Sequence, residues 1–167
     1  KGYGAISNIL AITSEVPLAH SRVEAGLKLR QAMLLNGTMF NSEAWQGISL
    51  AEIQMIEKVD EDLLRGLLKA HSKIPLEALY LETGSIPIRF IIKSRRLSYL
   101  HTILQRESEE LVKEVYDAQK DDPIKGDFFE LVTEDARATN LNLTDNEIAA
   151  MKKERFKEIV KPKVRES

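Results

Sequence analysis

The chain has 167 residues, 43% hydrophobic and 30% charged, with 24 Lys and Arg against 26 Asp and Glu and no cysteine. Those proportions suit one globular domain with a real core, are marginal for two, and argue against disorder. A net charge of −2 supplies no global field toward nucleic acid or anionic lipid, and the lack of Cys excludes disulfides and Cys-based zinc sites. Any contact with a polyanion has to come from local patches. No apolar run approaches the roughly 20 residues of a membrane span, and no signal peptide pattern opens the chain. The first residue is Lys, so a piece excised or processed from a longer protein is expected.

In chain order, nearly every segment carries a helical pattern. Ala5 to Ser14 places Ile6, Ile9 and Leu10 at helical spacing and ends before Pro17. Ser21 and Glu24 form a possible capping box for a second helix with Val23, Leu27 and Leu34 on its core face, and Asn36-Gly37 reads as its stop. Trp45, the only Trp, is expected to anchor a core. Ser49 and Glu52 make another capping box. Asp60 is expected to cap a separate helix bearing Leu63, Leu64, Leu67 and Leu68.

The central stretch runs from Ile74 to Arg106. Pro75 heads a short apolar run that turns at Gly84, and Pro87 opens a long helix reaching at least Arg106. At about 100° per residue, Ser94, Ser98, His101, Thr102 and Gln105 share one polar arc, the expected solvent face. Arg89, Lys93 and Arg96 recur at i, i+4 and i+7 and form a row lying among apolar residues. Charges are rarely buried unpaired. The row is therefore either paired with carboxylates such as Glu77 and Glu82, its stems packed and heads snorkelling, or presented to a polyanion.

Beyond it, Ser108 to Lys120 reads as an acidic helix with Leu111, Val115 and Ala118 on one face. Capping boxes at Asp127/Glu130 and Thr144/Glu147 predict helices near 128–137 and 145–160, with Pro162 stopping the last and a frayed basic tail at 161–167. Glu107 to Asp135 holds eleven acids and three bases; from Met151 onward there are seven bases and three acids. Such runs are solvated faces that attract one another, or a basic end that touches phosphates. No strand signal, repeat or low-complexity tract interrupts the pattern, and the expected class is all-α, an irregular bundle of about seven to nine helices.

Catalytic constellations are absent from the sequence. His20, His71 and His101 have no shared metal spacing, and there is no HExxH, Walker, G-x-S-x-G or Gly-rich phosphate motif. Asp121-Asp122 precedes Pro123 and reads as a solvated turn rather than a metal-holding pair. No catalytic residue, metal ligand or cofactor is expected.

Three segments resemble the region that follows the polymerase core in reverse transcriptases of non-LTR, LINE-like retrotransposons. They are Lys1 to Trp45, with LR-x-A-M-L-x-x-G-x-x-F-N-S-E-x-W; Ile74 to Leu104, with LYLETG-x-x-P-I-R; and Glu110 to Asp135, followed by Ile148, Met151, Phe156 and Lys157. The family's Tyr-x-Asp-Asp turn, which carries the catalytic aspartates, is absent, since Asp121-Asp122 follows Gln119-Lys120. The resemblance implies a thumb-like segment at 1–45 and a post-polymerase helical linker at 46–167 packed on it. It implies a non-catalytic part of an RNA-directed DNA polymerase that positions template RNA or primer–template duplex. Its partners would be that RNA or RNA–DNA duplex and the upstream polymerase domain, with no membrane, in the nucleus or cytoplasm. The residues expected to meet phosphates are Arg89, Lys93, Arg96, Lys152, Lys153, Arg155 and Lys157. The alternative is a structural or protein-interaction helical scaffold without nucleic-acid contact.

Overall fold

A computed structural model describes residues 2–166; Lys1 and Ser167, which end the expected first segment and the expected tail, lie outside them. The fold is all-α, with nine helices and no strand among the described residues. They are α1 (Gly2–Ser14), α2 (residues 19–38), α3 (Leu50–Leu68), α4 (Leu76–Thr83), α5 (Ile88–Leu104), α6 (Leu111–Asp121), α7 (Phe128–Ala138), α8 (Asp145–Ala150) and α9 (Lys153–Glu166). The chain divides into two compact units that interleave along the sequence. One comprises the residues up to Phe40 together with Ser49–Ile88, the other Asn41–Ile48 together with Arg89 onward.

In the first unit, Ile6 and Ile9 of α1 pack with Leu34 of α2 and Leu63 and Leu67 of α3. Leu64, Leu79 and Tyr80 form a second cluster where α4 meets α3. Small residues set the approach of the helices. A Cβ on Gly26 would lie 2.2 Å from Leu67 Cδ2, and one on Gly66 would lie 2.8 Å from Leu10 Cδ1.

Two expected helix boundaries fall inside helices. α2 begins at Ala19 after an extended Leu18 with no side-chain cap, so Ser21 lies within it. It passes through Asn36-Gly37 to Thr38, with a π-helical segment at Arg30–Leu35. The left-handed turn comes later, at Asn41 (φ 54°). Burial explains the extension: Leu34, Leu35 and Met39 are all in the core, and the Thr38 hydroxyl donates to the Leu34 carbonyl at 2.7 Å.

α3 starts with the expected reciprocal capping box, Ser49 Oγ accepting from Glu52 N at 3.2 Å and Ser49 N donating to Glu52 Oε2 at 2.8 Å. It then runs unbroken to Leu68. Asp60 is no cap. It sits mid-helix, 0% exposed, and takes Arg30 Nε on Oδ1 at 2.6 Å and Nη2 on Oδ2 at 2.7 Å. A bidentate guanidinium–carboxylate pair satisfies both buried charges, so the acid is tolerated where a cap is unnecessary.

The second unit is built on α5. Leu97, Leu100 and Ile103 pack with Tyr116, Phe128, Val132, Leu141, Ile148, Phe156, Val160 and Val164. Tyr99 and Tyr116 meet the Phe128 ring edge-to-face, with centroids 5.6 and 6.4 Å away. α5 ends at Leu104, and a break at 105–110 separates it from α6. α7 is capped by Asp127, whose Oδ1 accepts from Glu130 N at 2.7 Å and Oδ2 from Ile124 N at 2.8 Å. The Thr144–Glu147 capping box opens α8 as expected.

The rest of this unit departs from the helical-wheel expectations. α8 stops at Ala150, Met151 is extended, and α9 starts afresh at Lys153. α9 carries Pro162 in its interior and continues to Glu166, because Val164 is buried one turn beyond Val160. Trp45 is half-buried rather than a fully enclosed anchor. On α6 it is Tyr116 that faces the core, while Leu111 and Val115 are 75% and 44% exposed.

Candidate nucleic-acid interface

The polar arc of α5 is a solvent face only in part: Gln105 is exposed and Ser94, Ser98 and Thr102 are half-buried, while the fifth member is enclosed. His101 is 0% exposed, stacks on Phe156 with centroids 5.2 Å apart, and lies 2.9 Å through Nε2 from the Met151 carbonyl oxygen. Gln105 Nε2 donates to the same oxygen at 3.1 Å, and Lys153 Nζ to Thr102 Oγ1 at 3.4 Å. The α8–α9 junction exposes helix-end carbonyls without intrahelical partners. Gln105 supplies a donor there and His101 a ring nitrogen, while Thr102 accepts from Lys153 at the start of α9.

The Arg89/Lys93/Arg96 row does not present three head groups together. Arg89 is exposed and Lys93 half-buried, its ammonium 5.8 Å from the Phe90 ring centroid. Arg96 is 6% exposed, and its Nε donates to Asp135 Oδ2 at 2.7 Å. Its counter-ion is thus Asp135 on α7, thirty-nine residues away, instead of Glu77 or Glu82. Burial raises the Asp135 carboxyl above its ordinary value, and the Arg96 guanidinium and Lys93 offset part of that rise. A guanidinium held this way anchors α5 to α7.

The C-terminal bases are placed differently. Lys152, Lys153, Arg155 and Lys157 are all exposed. Arg155 reaches Glu158 at 3.5 Å with both side chains well solvated, a contact of little energetic weight. Because Phe156, Val160 and Val164 take the core face of α9, Lys157, Lys161 and Arg165 recur at i, i+4 and i+8 along the outer side, all exposed. Lys161 and Arg165 were not among the residues singled out from the sequence. Their spacing carried the signal, but a helix ending at Pro162 hid it. Lys163 turns back and donates to the Asn140 carbonyl at 2.7 Å.

A cavity of about 460 Å³ lies in the same unit, floored by Leu100, Val132, Leu141 and Ile148 and edged by Tyr116 and the Lys120–Asp145 pair (2.6 Å). Burial, together with Asp145 and Asp117, pushes the Tyr116 phenol well above the usual tyrosine range, and the hydrogen bond to Asp145 raises Lys120. Tyr116 therefore stays a phenol and Lys120 a cation at neutral pH. Among the described residues, no group of three or more His, Asp or Glu could hold a metal ion, and no helix is long and apolar enough to cross a membrane. No protein-family model, curated protein or solved structure matches the chain.

Proposed function

We propose that the chain is a non-catalytic helical part of a non-LTR retrotransposon RNA-directed DNA polymerase, and that it positions template RNA or primer–template duplex in concert with an upstream polymerase domain in the nucleus or cytoplasm. The observation that carries the reading is the row of Lys157, Lys161 and Arg165 on the outer side of α9, flanked by Lys152 and Arg155. A straight row of solvated cations suits a phosphate backbone, which positions a duplex without reading its sequence. The sequence strings at Lys1–Trp45 and Ile74–Leu104 supply the family. Arg89 stays a candidate contact and Arg96 acts inside the unit.

The test is binding of a short RNA and an RNA–DNA duplex across a salt series, comparing the parent with Lys157→Ala/Lys161→Ala/Arg165→Ala. Each neutralised phosphate adds roughly 0.9 to the log–log slope on duplex DNA and about 0.7 on single strands. The triple variant should therefore lose about 2.7 units of slope on a duplex and about 2.1 on single-stranded RNA. Equal slopes for both proteins, or no binding by either, would remove α9 from the contact. The Arg96–Asp135 pair favours the second reading, a helical scaffold without nucleic-acid contact, which that outcome would support.

A further inference from the structure

We propose that the outer ridge of α6 is a docking surface for a basic amphipathic helix of another polypeptide. Leu111, Val115 and Ala118 stand at i, i+4 and i+7, and all three are exposed, Leu111 by 75% and Val115 by 44%. At 100° per residue they fall within about 60° of one another, so they form one continuous apolar stripe. Isolated exposed leucines are ordinary, but contiguous apolar stripes rimmed by polar residues mark interaction sites.

The stripe borders a depression. Val115 is shared between the ridge and a cavity of about 100 Å³ walled by Tyr99, Ile103, Val112, Tyr116 and Phe128. That is room for about one aliphatic side chain, the usual form of a buried interface anchor. The core behind it is held by edge-to-face ring contacts of Tyr99 and Tyr116 on Phe128.

Charge selects the occupant. Glu114 and Asp121 flank the stripe on one side, with Glu107 and Glu109 at its N-terminal end and Asp122 at its C-terminal end. The two lysines of α6 are drawn away from this face, Lys113 to Asp117 and Lys120 to Asp145, each at 2.6 Å. Glu109, Glu114 and Asp122 are exposed and enter no ion pair among the described residues. An apolar stripe with a one-sided acidic rim is complementary to a helix bearing leucines at i, i+4 and i+7 between lysines and arginines.

The experiment is a fluorescence-anisotropy titration of the full chain with a labelled 18-residue helical peptide of that pattern. A control peptide has the same composition with its period broken, and a second has its lysines replaced by glutamate. Leu111→Ser/Val115→Ser tests the stripe and Glu114→Lys/Asp121→Lys the rim. All four positions lie on the outer side of α6, and unchanged thermal melts confirm the folds. Saturable binding of the patterned peptide, weakened at least about tenfold by either variant and by either control, is expected. Binding untouched by the variants, or equal for the period-broken peptide, would overturn the proposal. So would a concentration-dependent dimer lost in the Leu111→Ser/Val115→Ser variant, which would make a second copy of the chain the occupant.

Discussion

The Arg30–Asp60 pair gives the sharpest test of how the first unit is held together. Both side chains are buried, with relative exposures of 7% and 0%. Replacing Asp60 by Ala leaves the Arg30 guanidinium with one long contact, to the Ile86 carbonyl at 3.4 Å. Breaking a buried pair from one side costs about 3–5 kcal/mol, because the remaining charge is desolvated and uncompensated. For a unit of this size each kcal/mol moves Tm by roughly 4–8 °C, so Asp60→Ala should melt at least about 12 °C lower. Arg30→Met should also lose stability, since it strands the carboxylate. The double variant Arg30→Met/Asp60→Leu removes both charges and fills the space, and should return to within about 1 kcal/mol of the parent. Urea unfolding followed by far-UV circular dichroism completes the double-mutant cycle. A loss below about 1 kcal/mol for Asp60→Ala, or a double variant as unstable as the sum of the singles, would refute the argument.

Two further outcomes follow from local geometry. Gly26→Ala would drive its methyl to 2.2 Å from the buried Leu67 and should cost about 1–3 kcal/mol of overpacking. Gly37→Ala, helical with nothing within 4 Å, should instead stabilise by about 0.5–1 kcal/mol; the same sign for both in chemical denaturation would contradict the packing. Burial raises the folded Asp135 pKa above the ordinary 3.8, so the folded state holds that proton more tightly than the unfolded one. The stability it contributes is complete below 3.8 and is lost as pH rises through the folded value. Carboxyl NMR should show the Asp135 midpoint above 3.8; a lower midpoint would mean that Arg96 outweighs burial.

What the sequence made legible was local. The Ser49/Glu52 and Thr144/Glu147 boxes are read from residues three apart and stand as expected. So does Gly84, left-handed at φ 61° after α4. What it concealed depends on partners far along the chain. Asp60 looks like a cap until Arg30 is seen beside it, and Arg96 finds its carboxylate at Asp135, far along the chain, where the sequence suggested the nearby Glu77 and Glu82. The arc at His101 and Gln105 is polar because it meets the carbonyls at 149–151, a junction no wheel of α5 contains. On α6, period alone could not choose between a Leu111/Val115/Ala118 stripe and a Val112/Tyr116/Gln119 one, and the larger aromatic took the core. Candidate cations suffered the same ambiguity, since spacing places a head group on a face without saying what faces it.

The interleaving of the two units has a consequence for synthesis. A ribosome releases the chain from its N-terminus, and domains tend to fold as units when their last residue emerges. The first unit has its full complement once Ile88 is out, whereas Asn41–Ile48 must then wait as a loop for a unit not yet made. Its later partners are specific: Arg95 Nη1 donates to Ser42 Oγ at 3.1 Å, and Gly47 N to the Gly126 carbonyl at 3.1 Å. No single cut therefore yields both units intact. A gene fragment starting at residue 89 would encode the second unit without the eight residues that close it.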